Sequence, residues 1–252
     1  MKKILILILL SITSVLFVNA NQAKQMLDSA NQAYVDGNYT IAIDTYEKVL
    51  ELGYESAALY YNLGNAYYKQ NIIDQAILNY ERALLLKPND EDIIYNLEMA
   101  NRLIVDRIEK LPVFFITNWI KNMINLFSSD LWAIISIISF LAALFFISIY
   151  MYTRWYGVKK TAFWLGFATI LICISSFIFS YKQKQKIVDN TTAIVMSPSV
   201  TVKSSPDISG TDLFVIHEGT KVWIQDKIGI WKQIRLSDGS KGWLKTESIE
   251  EI

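Results

Sequence analysis

Residues 60–88 read Tyr60-Tyr61-Asn62-Leu63-Gly64-Asn65-Ala66-Tyr67-Tyr68-Lys69-Gln70-Asn71-Ile72-Ile73-Asp74-Gln75-Ala76-Ile77-Leu78-Asn79-Tyr80-Glu81-Arg82-Ala83-Leu84-Leu85-Leu86-Lys87-Pro88, and their spacing decides how the first half of the chain folds. Leu63, Tyr67, Tyr80 and Leu84 recur at helical intervals, while Gly64 and Ala76 are small where two helices would have to cross. The pattern predicts helix A over about 57–70 and helix B over about 73–86, with Pro88 stopping the second. A shift of 34 residues lays Ala30 on Gly64, Tyr34 on Tyr68, Ala42 on Ala76, Ile43 on Ile77, Tyr46 on Tyr80 and Leu50 on Leu84. An earlier copy of the helix pair is therefore expected, turned at Gly37-Asn38.

Tyr60, Leu63, Gly64, Tyr67, Ala76, Tyr80, Ala83 and Pro88 resemble the tetratricopeptide repeat at its signature positions, with Tyr in place of Trp at the first. The resemblance implies an all-α module over residues 21–111 that binds protein or peptide in a concave groove lined by helix A faces. The matching positions are Leu27, Asn31 and Tyr34, then Tyr61, Asn65 and Tyr68, then Tyr95, Met99 and Arg102. Family members that clamp a C-terminal carboxylate hold Lys where this chain has Leu27 and Tyr61, so another mode is implied, with Asn and Tyr meeting backbone amides and apolar groups. Packing of the same rings against one another as core is the other reading. A further helical stretch, Asp90 to Lys110, has Ile94 and Leu97 at helix A positions but Glu98 where a small residue belongs, and it reads as a capping helix. Two repeats fall short of the three that such arrays usually need. Either the cap suffices, or the membrane-proximal helix, self-association or a partner completes the stack.

The chain has 252 residues, 52% of them hydrophobic, with Lys+Arg 24 and Asp+Glu 24, and its mean hydropathy is +0.26. That is too apolar for an ordinary soluble domain and too charged for a wholly embedded one. The excess is concentrated. Residues 1–20 carry Lys2 and Lys3, an uncharged run to Val18 and the small Ala20, the order of an export signal peptide. Leu131–Tyr152 and Ala162–Tyr181 contain no charge, and each matches the roughly 20 residues of a helix crossing a hydrocarbon core. Trp119, Trp132, Trp155 and Trp164 stand near the ends of these runs, where amphipathic rings prefer the headgroup level. Residues 112–130 are apolar on one side, with Asn118, Lys121, Asn122 and Asn125 on the other, and predict an interfacial helix resting on the lipid bilayer.

Charge does not orient the hairpin. Arg154, Lys159 and Lys160 in the connecting loop, residues 153–161, are matched by Lys182, Lys184 and Lys186 beyond the second run. The export signal places residues 21–130 outside, and two crossings return residues 182–252 to the same side. The expectation is a multi-pass protein of the inner membrane, with both soluble parts periplasmic and each packed on its own.

After a linker at 182–191, residues 192–252 change to short β-rich runs: Ala193–Met196, Val200–Ser204, Leu213–His217, Lys221–Gln225, Trp231–Leu236 and Gly242–Leu244. Ser237-Asp238-Gly239 and Glu218-Gly219 mark turns, and Val222, Ile224 and Ile234 are the expected core of a small all-β barrel. Val200-Thr201-Val202-Lys203-Ser204-Ser205-Pro206, Leu213 through Val222, Gly229-Ile230-Trp231 and Gly242-Trp243 resemble the bacterial SH3-like domain, with Lys203 where that family commonly has Arg. The resemblance implies cell-wall or peptide binding, with Trp223, Trp231 and Trp243 as the candidate surface; packing of Trp231 and Trp243 into the barrel is the alternative. His217 is expected at a surface or edge.

Enzymatic chemistry is not expected. One Cys and one His cannot build a thiolate or histidine metal site, and no phosphate-binding loop or nucleophile elbow is present, so no cofactor or metal is implied. Balanced charge argues against nucleic acid. The order of parts resembles the BatE-like family of aerotolerance-operon proteins across almost the whole chain. That resemblance implies a scaffold in an envelope complex with von Willebrand type A membrane proteins and a MoxR-type ATPase, associated with tolerance of oxidative stress. The alternative is a peptidoglycan-binding protein that acts through its SH3-like domain.

Overall fold

Ala42, Ile43, Tyr46 and Val49 line one side of the segment Tyr39–Glu51, and burying that stripe is what holds it helical. The computed structural model describes residues 21–109, 111, 114–189 and 191–252; the expected signal peptide lies outside the described residues. The first half is a row of helices: α1 over residues 21–35, α2 Tyr39–Glu51, α3 Ala57–Lys69, α4 Ile73–Leu86 and α5 Glu91–Asn101. The turns within both pairs need a left-handed residue, supplied by Gly37 at φ +78° and, one repeat later, by Asn71 at φ +62°. Ser56 opens α3 by accepting the Leu59 N–H at 3.1 Å. The helices of the second pair cross closely because Gly64 has no side chain; a Cβ there would stand 2.8 Å from the Tyr80 ring.

Helix α5 stops at Asn101, short of the expected Lys110. It is a helix A without a helix B. Ile94, Glu98 and Asn101 occupy the places of Tyr60, Gly64 and Tyr67, and they are exposed where those three are buried. With no helix to cross, Glu98 needs no small neighbour, and a polar outer face is what a terminal cap requires. Residues 102–109 then leave the helical path and run to the β-sheet.

That sheet has seven antiparallel strands, β1 Thr192–Val195, β2 Ser199–Lys203, β3 Asp212–His217, β4 Lys221–Ile228, β5 Trp231–Arg235, β6 Lys241–Lys245 and β7 Ile249–Glu251, in the order β3-β2-β6-β5-β4-β1-β7. β7 was not expected from sequence. Alternating residues such as Val200 and Val202 point inward to meet Val195, Ile216 and Leu244; Val222 and Ile234 are fully buried and Ile224 partly so. β3 and β7 are the edges, and among the described residues no ladder joins them to close a barrel.

The repeats and the sheet do not pack separately. Among the described residues, 21–84, Glu91–Glu109 and Thr192–Ile252 form one compact unit. The cause lies at the sheet edges, which otherwise present unpaired backbone. At β7, Arg82 of α4 pairs with Glu250 at 2.9 Å and donates to the Glu251 carbonyl at 2.9 Å. Lys221 pairs with Glu81 at 2.6 Å nearby. At the end of β3, Asp106 accepts the His217 N–H at 2.7 Å and the Thr220 hydroxyl at 2.7 Å, and faces His217 Nδ1 at 2.8 Å. Ile108 packs on the sheet core. His217 is thus an edge residue held by a carboxylate from the helical half.

The described residues of 85–90 and 111–191 form the second unit. Within it α6, Phe115–Asn125, leaves Phe115, Ile116, Trp119 and Ile120 exposed, while Ile124 is buried and its carbonyl accepts the Trp132 indole N–H at 2.9 Å. Helices α7, Ser129–Tyr152, and α8, Tyr156–Val188, run antiparallel. Ser129 and Ser180 exchange hydroxyl-to-carbonyl bonds of 3.2 and 2.9 Å, and the Ser136 hydroxyl donates to the Cys173 carbonyl at 3.2 Å. Both helices are long and apolar enough to cross a membrane. The expected span Ala162–Tyr181 is the middle of a 33-residue helix, and the connector shrinks to residues 153–155.

Candidate functional site

The groove is built by α1, α3 and α5, successive helix A elements that share one hydrogen-bond pattern. Tyr46 donates to Asn31 Oδ1 at 2.7 Å, and Asn62 Nδ2 donates to the same oxygen at 3.0 Å. One repeat later, Asn65 Oδ1 accepts from the Tyr80 hydroxyl at 2.7 Å and from Asn96 Nδ2 at 2.8 Å. Each rung therefore ties a helix A to its own helix B and to the next helix A. Asn96 also donates to the Tyr61 hydroxyl at 3.0 Å, which orients that ring. Burial pushes the Tyr46 hydroxyl up to about 12 and raises Tyr34 and Tyr80 as well, so these phenols stay neutral donors.

Above the second rung lies a groove of about 350 Å³. Tyr34, Tyr61, Asn65, Tyr68, Tyr95 and Met99 line it, as read from the sequence. Leu27, Asn31 and Arg102 do not; Asn31 serves as a rung instead. Lys69, Tyr80 and Asn96 line it unannounced by the helix A pattern. The spacing of Asn31 to Asn65 and of Asn62 to Asn96, one repeat each, was the signal that could have found the rungs. Some rings also pack on one another: Tyr61 lies 6.0 Å from Tyr80, and Tyr34 meets Tyr39 edge-on at 5.4 Å. Replacing Tyr80 by Phe keeps the packing and removes one donor from Asn65. A loss of about 1 kcal/mol in thermal unfolding is expected, and an unchanged melt would mean the rung carries no net stability.

On the sheet, register places Trp223 opposite Arg235 and Trp243 opposite Gln233, so the three tryptophans share a face by alternation. Trp231 and Trp243 are less than a tenth exposed, and Trp223 lies under the Arg235 guanidinium at 5.4 Å. A second cavity, about 420 Å³, is lined by Lys227, Gly229, Ile230, Lys245, Thr246 and Glu247 and includes none of them. Among the described residues no three His, Cys, Asp or Glu side chains are grouped so as to hold a metal ion.

A family model described as Tetratricopeptide repeat matches residues 57–90, and one described as TPR repeat matches residues 30–71. The chain thus carries tetratricopeptide repeats over residues 30–90, which hold α2, α3 and α4 and stop before α5. Against curated proteins it has no match.

Proposed function

From a chain with tetratricopeptide repeats and two membrane-length helices, we propose a membrane-anchored interaction scaffold without catalytic activity, whose groove holds a protein partner beside the bilayer. The observation that carries this reading is the groove itself: open, aromatic, and braced from below by the asparagine rungs. Exposed Tyr95 and half-buried Tyr68 supply large contact area at low entropic cost. Helices α7 and α8 serve as the anchor, with exposed Phe115, Ile116, Trp119 and Ile120 of α6 lying in the interface. That the repeats and the sheet share one unit favours an even number of crossings between them. That supports placing both on one side, the periplasmic one if residues 1–20 direct export.

The resemblance to the BatE-like family names the setting proposed here, an inner-membrane complex with von Willebrand type A proteins linked to oxidative-stress tolerance. The sheet is the proposed SH3-like module. Peptidoglycan binding stays second, because the burial of Trp231 and Trp243 leaves little aromatic surface for it.

A photo-crosslinker at Tyr95 of the full chain, expressed in intact cells, tests the groove. A discrete protein adduct is expected, reduced about tenfold by Tyr68→Ala. Tyr68 is preferred to Tyr61 and Asn65, which also hold the fold together. An adduct indifferent to Tyr68, or attachment to wall fragments alone, would defeat the reading.

A further inference from the structure

A groove selects by which hydrogen-bonding roles it leaves unspent. The Oδ1 of Asn65 already accepts from Tyr80 and Asn96, so this amide offers a ligand only its N–H groups. Asn96 spends its amide hydrogens on Asn65 and Tyr61. The Tyr61 oxygen accepts one of them, and its own O–H is left to donate. Tyr34, Tyr68 and Tyr95 add further hydroxyls, and Lys69 adds an exposed ammonium. No carboxylate lines the groove among the described residues. Its polar edge is therefore rich in donors and carries one positive charge over aromatic walls.

We propose that the groove takes an extended, acid-bearing segment of the partner protein, with a carboxylate held by Lys69 and flanking proline or aliphatic residues against the tyrosine rings. This rests on the groove reading above and specifies its ligand. A basic segment would meet Lys69 with no anion to neutralise it. A neutral one would forgo the charge-assisted bond and leave the ammonium to water. Lys69 stands outside the places of Leu27 and Tyr61, where the family's carboxylate clamp is built, so an internal Asp or Glu serves and a free C-terminus is not required.

A library of random linear heptapeptides, displayed without a free C-terminus, is panned against the full chain in nanodiscs. Wild-type protein is expected to enrich peptides with Asp or Glu beside Pro or aliphatic residues. Lys69→Ala should weaken the best of them roughly fivefold to tenfold, and Lys69→Glu should enrich Lys or Arg instead. Tyr68→Ala should reduce all binding, which places the peptides in the groove. Enrichment of neutral or basic peptides by the wild type, or of acidic peptides by Lys69→Glu, overturns the ligand assignment while leaving a peptide groove. No Tyr68-dependent enrichment at all overturns the groove reading and this inference together.

Discussion

Replacing Gly219 by Val is expected to detach the sheet from the repeats. Gly219 sits at φ +81° in the turn between β3 and β4, where a side chain is strained by about 1–2 kcal/mol, more when β-branched. Space is lacking too. A Cβ would stand 2.5 Å from Ile104 Cγ2 and 3.2 Å from Ile77 Cδ1, so the turn is wedged between α4 and the strap that follows α5. Overpacking of this kind adds about 1–3 kcal/mol. Because both penalties fall where the two halves meet, the helices and the sheet should each survive while their joint opens. Trypsin should then cut the full chain at exposed Arg107 many times faster than in the wild type, and amides at His217 and Thr220 should exchange faster. Adding Ile104→Ala should relieve part of the clash but none of the backbone strain, giving partial rescue. Resistance at Arg107 equal to that of the wild type would show that the turn does not bear the joint.

What could be read from sequence divides along the range of the interactions. The repeat was legible because its cause is local. Small residues at Ala30 and Gly64 and at Ala42 and Ala76 recur on a spacing of 34, and Pro88 stops the second copy. Six of the nine positions named from the repeat line one cavity. The rungs are harder to read, because Asn31 and Asn65 fall at groove positions of the repeat and only the equal interval of their partners Asn62 and Asn96 marks them as braces as well. The extent of α8 was misread for a different reason. Apolarity sets the length of a span, but Lys182-Gln183-Lys184-Gln185-Lys186 are good helix formers and carry the helix past the apolar limit. The joint between the halves had no sequence signal at all. Arg82 and Glu250, or Asp106 and His217, are separated by the whole hairpin, and a single ion pair has no periodicity to betray it.

Asp106→Ala tests the same joint through hydrogen bonds instead of shape. Burial pushes the Asp106 carboxyl up, but the His217 ring, the Thr220 hydroxyl and the His217 backbone N–H donate to it, and together they hold it below its ordinary value of 3.8. A carboxylate only accepts, so all three partners spend a hydrogen on it. Removing it leaves three donors facing no acceptor, at about 1 kcal/mol each and about 3 kcal/mol in all. The pH dependence carries a sign. A carboxyl whose folded value lies below its unfolded one contributes fully above the unfolded value of 3.8, and that contribution is lost as the pH falls through the folded one. The wild type should therefore hold its protection at the His217 amide down to about pH 4 and lose it below. The Ala variant should start low and lose less on further acidification. The gap between the two should narrow as acid protonates the wild-type carboxyl, since both then lack an anion at that position. A gap as wide at pH 3 as at pH 7 would mean that Asp106 acts through packing, and the polar part of the joint would then rest on the Arg82–Glu250 and Lys221–Glu81 pairs.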